Sequence, residues 1–143
     1  MSKKTSRRDF VKRSAATAAG IFVVPNIIPS SVFGMGRRTA PSDRVVIGAI
    51  GTGSQGMSNM GDFLELKDAV QFVAVCDVDS SRLAKAKLRV DTANKNSDCR
   101  TYADFREFLE KEKLDAVSIA LPEHWHGVIY TEAVNKKLNV YGE

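Results

Sequence analysis

The chain has 143 residues, of which 43% are hydrophobic, so it is long enough to bury the core of one domain. Its net charge of +4 is unevenly distributed: residues 1–38 contain eight basic residues and one acidic residue, whereas residues 39–143 contain 13 basic and 16 acidic residues. Because nucleic-acid binding needs basic side chains clustered on the folded domain, this distribution argues against a nucleic-acid partner.

Residues 1–36 have the organisation of an export signal. Residues 2–13 are basic, and residues 14–36 carry no charge and include the apolar stretch AATAAGIFVV. Within the basic part, SRRDFVK (6–12) closely resembles the twin-arginine signal S-R-R-x-F-L-K. We therefore expect a signal peptide that is recognised by the twin-arginine translocation machinery, and a protein that is periplasmic or otherwise extracytoplasmic. The alternative is an N-terminal helix of the domain itself.

The apolar stretch of this leader is short and is interrupted by two prolines, Pro25 and Pro29. A permanent transmembrane helix needs about 20 apolar residues, so cleavage is the favoured outcome. An uncleaved leader would tether the protein to the membrane.

After a polar linker at 37–43, short apolar runs alternate with longer helical patterns. The predicted strands cover 44–50, 70–76, 114–122 and the stretch that begins at Leu138, and the predicted helices cover Ser54–Glu65, a segment from Ser80 into the 90s, 101–112 and about 127–136. Strands that alternate with helices of this length indicate βαβ units. The sequence thus predicts an α/β fold with a Rossmann-type parallel sheet over 44–143.

The first predicted strand runs into GTGSQG, which has the spacing G-x-G-x-x-G and opens a helix. In that context Gly51 allows a tight turn, Gly53 lets the backbone approach a pyrophosphate, and Gly56 lets the helix pack closely on the strand. The helix N-terminus supplies free N–H groups and a partial positive charge for the phosphates. The predicted pyrophosphate-binding residues are Gly51, Thr52, Gly53, Ser54, Gln55 and Gly56.

An acidic residue directly after the second strand supports the same interpretation. Asp77 follows Gly56 by 21 residues, and its carboxylate can accept hydrogen bonds from both ribose hydroxyls of an adenosine. A carboxylate there repels a 2′-phosphate, so NAD is favoured over NADP. Arg82 keeps NADP open, since its side chain can pair with that phosphate. A helix N-cap role is the alternative for Asp77, although Asp79 suits it better, and another nucleotide or methyl-donor cofactor also stays open.

The segment ALPEHWHGVI places His124, Trp125 and His126 after the predicted strand at 114–122, at the edge of a parallel sheet where ligands bind. The chain has only these two histidines, and neither cysteine has a metal-ligand spacing to them, so no metal site is predicted. The alternative is that His126 caps the helix and Trp125 fills the core. Cys76 is expected to be a buried thiol and Cys99 to lie in a loop, without a disulfide.

Five segments carry a family resemblance: AIGTGSQG, VAVCDVDSSR, YADFREFLE, DAVSIALPEHWHGVI and KKLNVYGE. Together they resemble the Gfo/Idh/MocA oxidoreductases over about residues 41–143, and most of all an exported branch with twin-arginine leaders. The resemblance implies a Rossmann domain that binds NAD or NADP, followed by an α/β substrate domain on an open sheet. It implies sugar, cyclitol or related substrates that are oxidised or reduced at a carbinol carbon.

The resemblance also assigns individual residues. Leu121 and Pro122 stand where the family's Thr-Pro pair lines the nicotinamide side, with the loss of one hydroxyl, and His126 matches a histidine near the nicotinamide and substrate. Glu143 matches the glutamate of the family's E-K-P motif, whose lysine is catalytic and would follow it. No catalytic residue is therefore expected within residues 1–143.

We accordingly expect the N-terminal part of an oxidoreductase, with an incomplete sheet and with turnover dependent on a C-terminal domain. A homo-oligomer is expected only with that domain present. The alternatives are a short dinucleotide-binding chain without catalysis, and part of an NAD-dependent glycoside-cleaving enzyme of the same family.

Overall fold

The computed structural model describes residues 41–143. The predicted signal peptide at 1–36 and the first part of the linker at 37–43 lie outside these residues. Within the described part, a 3₁₀ turn at Pro41–Asp43 precedes alternating strands and helices. They are β1 (Val45–Ile50), α1 (Ser54–Glu65), β2 (Val70–Cys76), α2 (Ser80–Asn94), β3 (Arg100–Tyr102), α3 (Phe105–Lys111), β4 (Ala116–Ile119), α4 (Glu123–Asn135) and β5 (Asn139–Gly142). None of these helices is long and apolar enough to cross a membrane.

The strands form one parallel sheet in the order β3-β2-β1-β4-β5. From β1 the chain first builds β2 and β3 on one side, and then crosses over to place β4 and β5 on the other side. Ligands of such sheets bind outside the carboxyl ends of the strands, at the point where the strand order reverses. The predicted Rossmann-type α/β fold is confirmed.

The core consists of two clusters, one on each face of the sheet. Helices α1 and α2 cover one face around Met60 and Phe72, and helices α3 and α4 cover the other around Phe108 and Ile129. Because both faces are buried, the inner strands are mostly apolar rather than alternating, and only Gln71 in β2 and Ser118 in β4 are polar.

The sequence predicted the bounds of α1 and β2 correctly, and it predicted the N-cap of α2 as well. The Asp79 carboxylate accepts hydrogen bonds from the backbone N–H groups of Ser81 and Arg82, at 2.8 and 3.1 Å. These contacts satisfy two of the N–H groups that a helix leaves free at its start.

Three elements differ from the prediction. Strand β4 covers only Ala116–Ile119 of the predicted 114–122. Residues 101 and 102, predicted as the start of a helix over 101–112, belong to the short strand β3, which pairs with Ala74–Cys76, and α3 begins only after the Asp104 N-cap. Helix α4 begins at Glu123, four residues earlier than predicted. Its N-cap is Pro122, whose ring disfavours a helical conformation at Leu121, so the helix cannot begin before the proline.

Candidate cofactor site

The glycine loop between β1 and α1 lies at the carboxyl edge of the sheet, and two of its glycines are required by backbone contacts. Gly51 has a φ of 86°, and a Cβ atom on it would collide with the carbonyl oxygen of Ala120. A Cβ atom on Gly56 would collide with the carbonyl oxygen of Gly51. A side chain on Gly51 would therefore push the loop away from the end of β4, and one on Gly56 would push α1 away from the loop.

Gly53 differs from these two glycines because the space in front of it is open. A Cβ atom there would meet only the Arg82 Nη1 atom, at 3.7 Å. Gly53 is the N-cap of α1, no side chain caps the helix, and its first turn has no acidic residue. The first bond within the helix runs from Met57 N–H to the Gly53 carbonyl, so the N–H groups of Ser54, Gln55 and Gly56 have no partner within the helix. This helix end is suited to an anion.

Asp77 follows β2 and is held by three hydrogen bonds. Its Oδ2 atom accepts from the Thr52 backbone N–H at 2.7 Å and from the Thr52 hydroxyl at 2.8 Å, and Oδ1 accepts from the Asp79 backbone N–H at 2.9 Å. An ionised carboxylate has about four acceptor positions, so one remains free, on Oδ1. The sequence led us to expect acceptance from both ribose hydroxyls, whereas this geometry leaves room for one.

A cavity of about 690 Å³ opens in front of the loop. It brings together most of the predicted site residues: Gly51, Gly53, Ser54, Gln55, Gly56, Asp77, Arg82, Leu121, Pro122 and Glu143. Thr52 is 2% exposed and lies behind the loop, where it orients Asp77. The structure therefore assigns Thr52 a supporting position rather than a place in the cavity wall.

His126 also lies behind the cavity wall. Its Nε2 atom is 2.8 Å from the carbonyl oxygen of Leu121, and because a carbonyl only accepts, Nε2 must carry the proton. The ring packs on Tyr130, with centroids 5.1 Å apart. His126 thus fixes the turn that presents Leu121 and Pro122 to the cavity. It is not among the residues that line the cavity.

Glu143 is connected to the glycine loop through Gln55. The Gln55 Nε2 atom donates to Glu143 Oε2 at 2.8 Å and to Asn59 Oδ1 at 3.0 Å. Asn59 is buried in α1, and its Nδ2 atom has no protein acceptor among the described residues. This chain of amides links the start of α1 to the carboxyl end of β5.

Residues 45–143 match the sequence model of the Gfo/Idh/MocA group, an oxidoreductase family with an NAD-binding Rossmann fold. The chain belongs to this family. The predicted family and the prediction of NAD as cofactor are thereby confirmed. The prediction of an exported branch rests on the leader, which lies outside the described residues.

Individual relatives agree with this assignment. A glycosyl hydrolase family 109 protein of Shewanella sp. strain W3-18-1 is 27% identical, over 96% of this chain and 33% of the relative. The chain thus spans about a third of the length of the curated relatives that it matches. The structure of myo-inositol 2-dehydrogenase from Lactobacillus plantarum is 26% identical, with a TM-score of 0.60 over 69% of this chain and 27% of that chain. The scyllo-inositol dehydrogenase of Lactobacillus casei, solved with NAD(H) and scyllo-inositol, shares the fold at 21% identity, with a TM-score of 0.61 over the same shares.

The site of this family member fits a dinucleotide on geometric grounds. The open space at Gly53 and the free N–H groups at the start of α1 suit a pyrophosphate, and Asp77 stands where a ribose would be held. A ligand that spans both must extend along the carboxyl edge of the sheet, which is the direction in which the cavity runs.

The cavity also includes residues that the sequence did not single out as cofactor ligands: Val78, Ala103, Asp104, Phe105, Arg106, Trp125 and Ile129. Trp125 was considered as a core residue, yet it is 42% exposed. The earlier start of α4 explains the difference, because it carries this side chain on the first turn of the helix, beside the cavity.

Neither cysteine is suited to nucleophilic chemistry. Cys76 lines the cavity, but burial, reinforced by the charge of Asp77, raises the pKa of its thiol to about 12. Cys99 is buried in the other core cluster, and burial raises its pKa to about 11. Both thiols are free. Within residues 41–143, no three His, Cys, Asp or Glu side chains converge in a way that could hold a metal ion.

Proposed function

We propose that this chain is the NAD-binding part of an oxidoreductase that transfers hydride between the cofactor and a carbinol carbon of a sugar, cyclitol or related compound. The observation that carries the proposal is that the free N-terminus of α1 and the Asp77 carboxylate face one cavity. The inositol dehydrogenases with the same fold support the substrate class.

Different residues along the carboxyl edge of the sheet bind different parts of the dinucleotide. The first turn of α1 binds the pyrophosphate through its backbone N–H groups, while Asp77 Oδ1 accepts from the adenosine ribose. Leu121 and Pro122 form the wall on the nicotinamide side, and Gln55 holds the Glu143 carboxylate at the same end. NAD, when bound, accepts or returns the hydride.

Calorimetric titration of the 143-residue chain with NAD and with NADP tests this proposal. We expect NAD to bind more tightly, because the Asp77 carboxylate repels a 2′-phosphate. Arg82→Gln should weaken NADP more than NAD, because the guanidinium lines the cavity together with Asp77 and can pair with the 2′-phosphate. A smaller loss is expected for both cofactors, because Arg82 also lies near Gly53, where the pyrophosphate binds. Tighter binding of NADP would refute the role of Asp77, and failure of both cofactors to bind would refute the proposed function.

A second candidate is NAD-dependent cleavage of a glycosidic bond, and the curated relatives named glycosyl hydrolase family 109 proteins favour it. The two reactions differ in their cofactor balance. Net oxidation accumulates one NADH for each product molecule, whereas a cleavage that oxidises and then reduces the sugar leaves the amount of NAD unchanged. Assays of the whole-length protein with a free sugar and with a glycoside, followed by NADH absorbance, separate the two.

We also propose that the protein is exported by the twin-arginine pathway. The support is the SRRDFVK motif followed by an uncharged, apolar segment. Fusion of residues 1–36 to a reporter should give export that is abolished by Arg7→Lys together with Arg8→Lys. A matched control changes Lys3 and Lys4 to Gln and should retain export. Unchanged export of the double-lysine variant would contradict the proposal.

A further inference from the structure

A second cavity lies at the surface between α1 and α2. Its volume is about 490 Å³, and it shares no lining residue with the cofactor cavity. We call it the lateral groove and define it by six of its lining residues: Leu64, Glu65, Lys67, Lys85, Leu88 and Arg89. The groove is therefore a feature of its own, on the face of the sheet that α1 and α2 cover.

Two leucines give the lateral groove an apolar surface. In α2 the side chains that pack on the core are Leu83, Ala86 and Val90, whereas Leu88 lies off this stripe and is 68% exposed. Leu64 on α1 is half-buried and lines the same groove. One exposed leucine on a convex surface needs no explanation, but two leucines that line a concave surface between charged side chains are typical of an interaction site.

Arg89 is held in the groove by a contact that crosses α1. Its Nη1 atom donates to the backbone carbonyl of Met57 at 2.8 Å, and its guanidinium lies over Gly61, where a Cβ atom would collide with Nη2. A guanidinium has five N–H donors, so this single bond orients the group and leaves donors for a carboxylate. Because Arg89 is already oriented, it loses little side-chain freedom when a carboxylate binds.

The charges of the groove are mainly positive. Lys67, Lys85 and Arg89 line it, and Glu65 is the acidic residue of its lining. Asp62 is close in sequence but does not line the groove. Residues 39–143 contain 13 basic and 16 acidic residues, so the groove is a locally positive site on a domain with a net negative charge. An occupant that complements it must carry negative charge.

This charge argues against three other occupants. An identical groove on a second copy of the chain would be repelled, and so would the leader, because residues 1–38 contain eight basic residues and one acidic residue. An anionic bilayer has the right charge, but it is flat and would contact the rim of a concave groove rather than its walls.

We propose that the lateral groove binds an amphipathic helix of a partner protein, with apolar side chains of that helix against Leu64 and Leu88 and with acidic side chains paired with Lys85 and Arg89. A groove with apolar walls accepts the apolar face of a helix, and the charges at its border select the partner. The inference does not depend on the proposed function, because the groove and the cofactor cavity have no residue in common.

Fluorescence anisotropy with labelled helical peptides tests this inference. The probe is a peptide of about 15 residues, or about four helical turns, with leucines on one face and glutamates along both borders of that face. Two matched peptides replace every glutamate by lysine or every leucine by serine. The glutamate–leucine peptide should bind the 143-residue chain about tenfold more tightly than either matched peptide. Absence of binding, or equal binding of all three peptides, would overturn the inference.

Two charge-reversal variants locate the binding site. Lys85→Glu changes the groove, and Lys113→Glu makes the same change at an exposed lysine outside it. Both variants keep the basic leader, so any attraction between the leader and the peptide is the same in both. We expect Lys85→Glu to weaken peptide binding by about tenfold and Lys113→Glu to change it little. Equal losses in the two variants would indicate a general attraction of charge and would overturn the inference.

Leu88→Ser tests the apolar part of the contact. Because Leu88 is largely exposed, the variant should fold and should bind NAD as the unmodified chain does, while its affinity for the glutamate–leucine peptide falls. An unchanged affinity for the peptide would show that the leucines take no part, which contradicts the proposed helix contact.

Two further measurements identify a different occupant. If sedimentation velocity shows a dimer that Leu88→Ser converts to a monomer, the groove is a contact between copies of the chain. If the chain co-sediments with phosphatidylglycerol vesicles, Lys85→Glu abolishes this and the peptide does not bind, the groove contacts a membrane surface. Either result would overturn the proposed partner helix.

Discussion

The cavity wall at β2 and β3 is held by more side-chain hydrogen bonds than the cavity wall at β4 and β5. On the side of β2 and β3, carboxylates make several hydrogen bonds at once. Asp77 accepts three, and the buried Glu112 accepts two from the Arg100 guanidinium at 2.5 Å and one from the Tyr102 hydroxyl at 2.6 Å. These contacts tie the glycine loop to the end of β2, and β3 to the end of α3.

On the side of β4 and β5, the corresponding contacts are single hydrogen bonds. One connects His126 to the Leu121 carbonyl, and another connects Gln55 to Glu143. Strand β5 is largely exposed, and Tyr141 on it is 49% exposed. The side at β2 and β3, which we propose binds the adenosine, is therefore organised before a ligand binds, whereas the side at β4 and β5 depends on a few single hydrogen bonds.

The largest effect is expected where backbone contacts fix the loop. Gly56→Ala forces a Cβ atom against the Gly51 carbonyl, and neither atom belongs to a flexible side chain, so we expect a loss of about 3 kcal/mol in the free energy of unfolding and loss of NAD binding. Urea unfolding monitored by circular dichroism measures the first effect, and calorimetry measures the second.

Gly53→Ala is the matched control for this prediction. Its Cβ atom meets only Arg82 Nη1 at 3.7 Å, so the folding free energy should change little while NAD binding weakens, because the methyl group occupies the space of the pyrophosphate. Equal stability losses in the two variants would contradict the distinction between a glycine needed for packing and a glycine needed for the ligand.

The second prediction concerns Glu112, whose side chain is 2% exposed. The hydrogen bonds from Arg100, and then from Tyr102, hold the pKa of this carboxyl below its ordinary value. A lowered folded-state pKa gives stability that is present above the unfolded value and is lost as the pH falls through the folded value. At pH 7 we expect Glu112→Gln to cost about 2 kcal/mol, and at pH 3 the difference from the unmodified chain should shrink.

Urea unfolding at the two pH values measures this difference. Glu107→Gln on the same helix is the control, because the ion pair of Glu107 with Lys111 is exposed and contributes little. If Glu112→Gln lowered the free energy of unfolding by the same amount at pH 3 as at pH 7, the shape of the Glu112 side chain, and not its charge, would stabilise the fold.

The third prediction concerns the orientation of Asp77. Thr52→Val removes the hydroxyl donor at 2.8 Å and keeps both the buried volume and the backbone N–H donor. The carboxylate should then rotate more freely, so NAD binding should weaken by about tenfold and the preference for NAD over NADP should narrow. Thr52→Ser keeps the hydroxyl donor, so it should retain both the affinity for NAD and the preference for NAD over NADP. A uniform loss for both cofactors, with no change in their ratio, would indicate a purely structural role.

Features set by local sequence were predictable. The apolar run of β2 and the glycine spacing each predict the local structure, and the Asp79 N-cap follows from residue type. Strand β3 was not predictable in this way, because three residues give no periodicity and the strand exists only through its pairing with β2. Its existence depends on contacts between residues distant in sequence.

The same limit applies to side chains in the site. The glycine motif predicts that the loop approaches a pyrophosphate, but it does not predict that Thr52 turns inward to Asp77. The HWH segment indicated a position at the edge of the sheet, but whether Trp125 or His126 faces the cavity depends on the residue at which α4 begins. A shift of a few residues in a helix start exchanges the side chains that face the ligand, because each residue advances the helix by about 100°.

The smallest effect is expected at His126, on the side with single contacts. His126→Phe keeps a ring against Tyr130 but removes the Nε2–H donor to the Leu121 carbonyl. Because that region is partly exposed, water replaces the donor, and the free energy of unfolding should fall by only about 0.5–1 kcal/mol. His124→Phe, on the exposed face of the same turn, should have no effect. If His126→Phe lowered the free energy of unfolding as much as Glu112→Gln does, the side of β4 and β5 would be held as firmly as the side of β2 and β3.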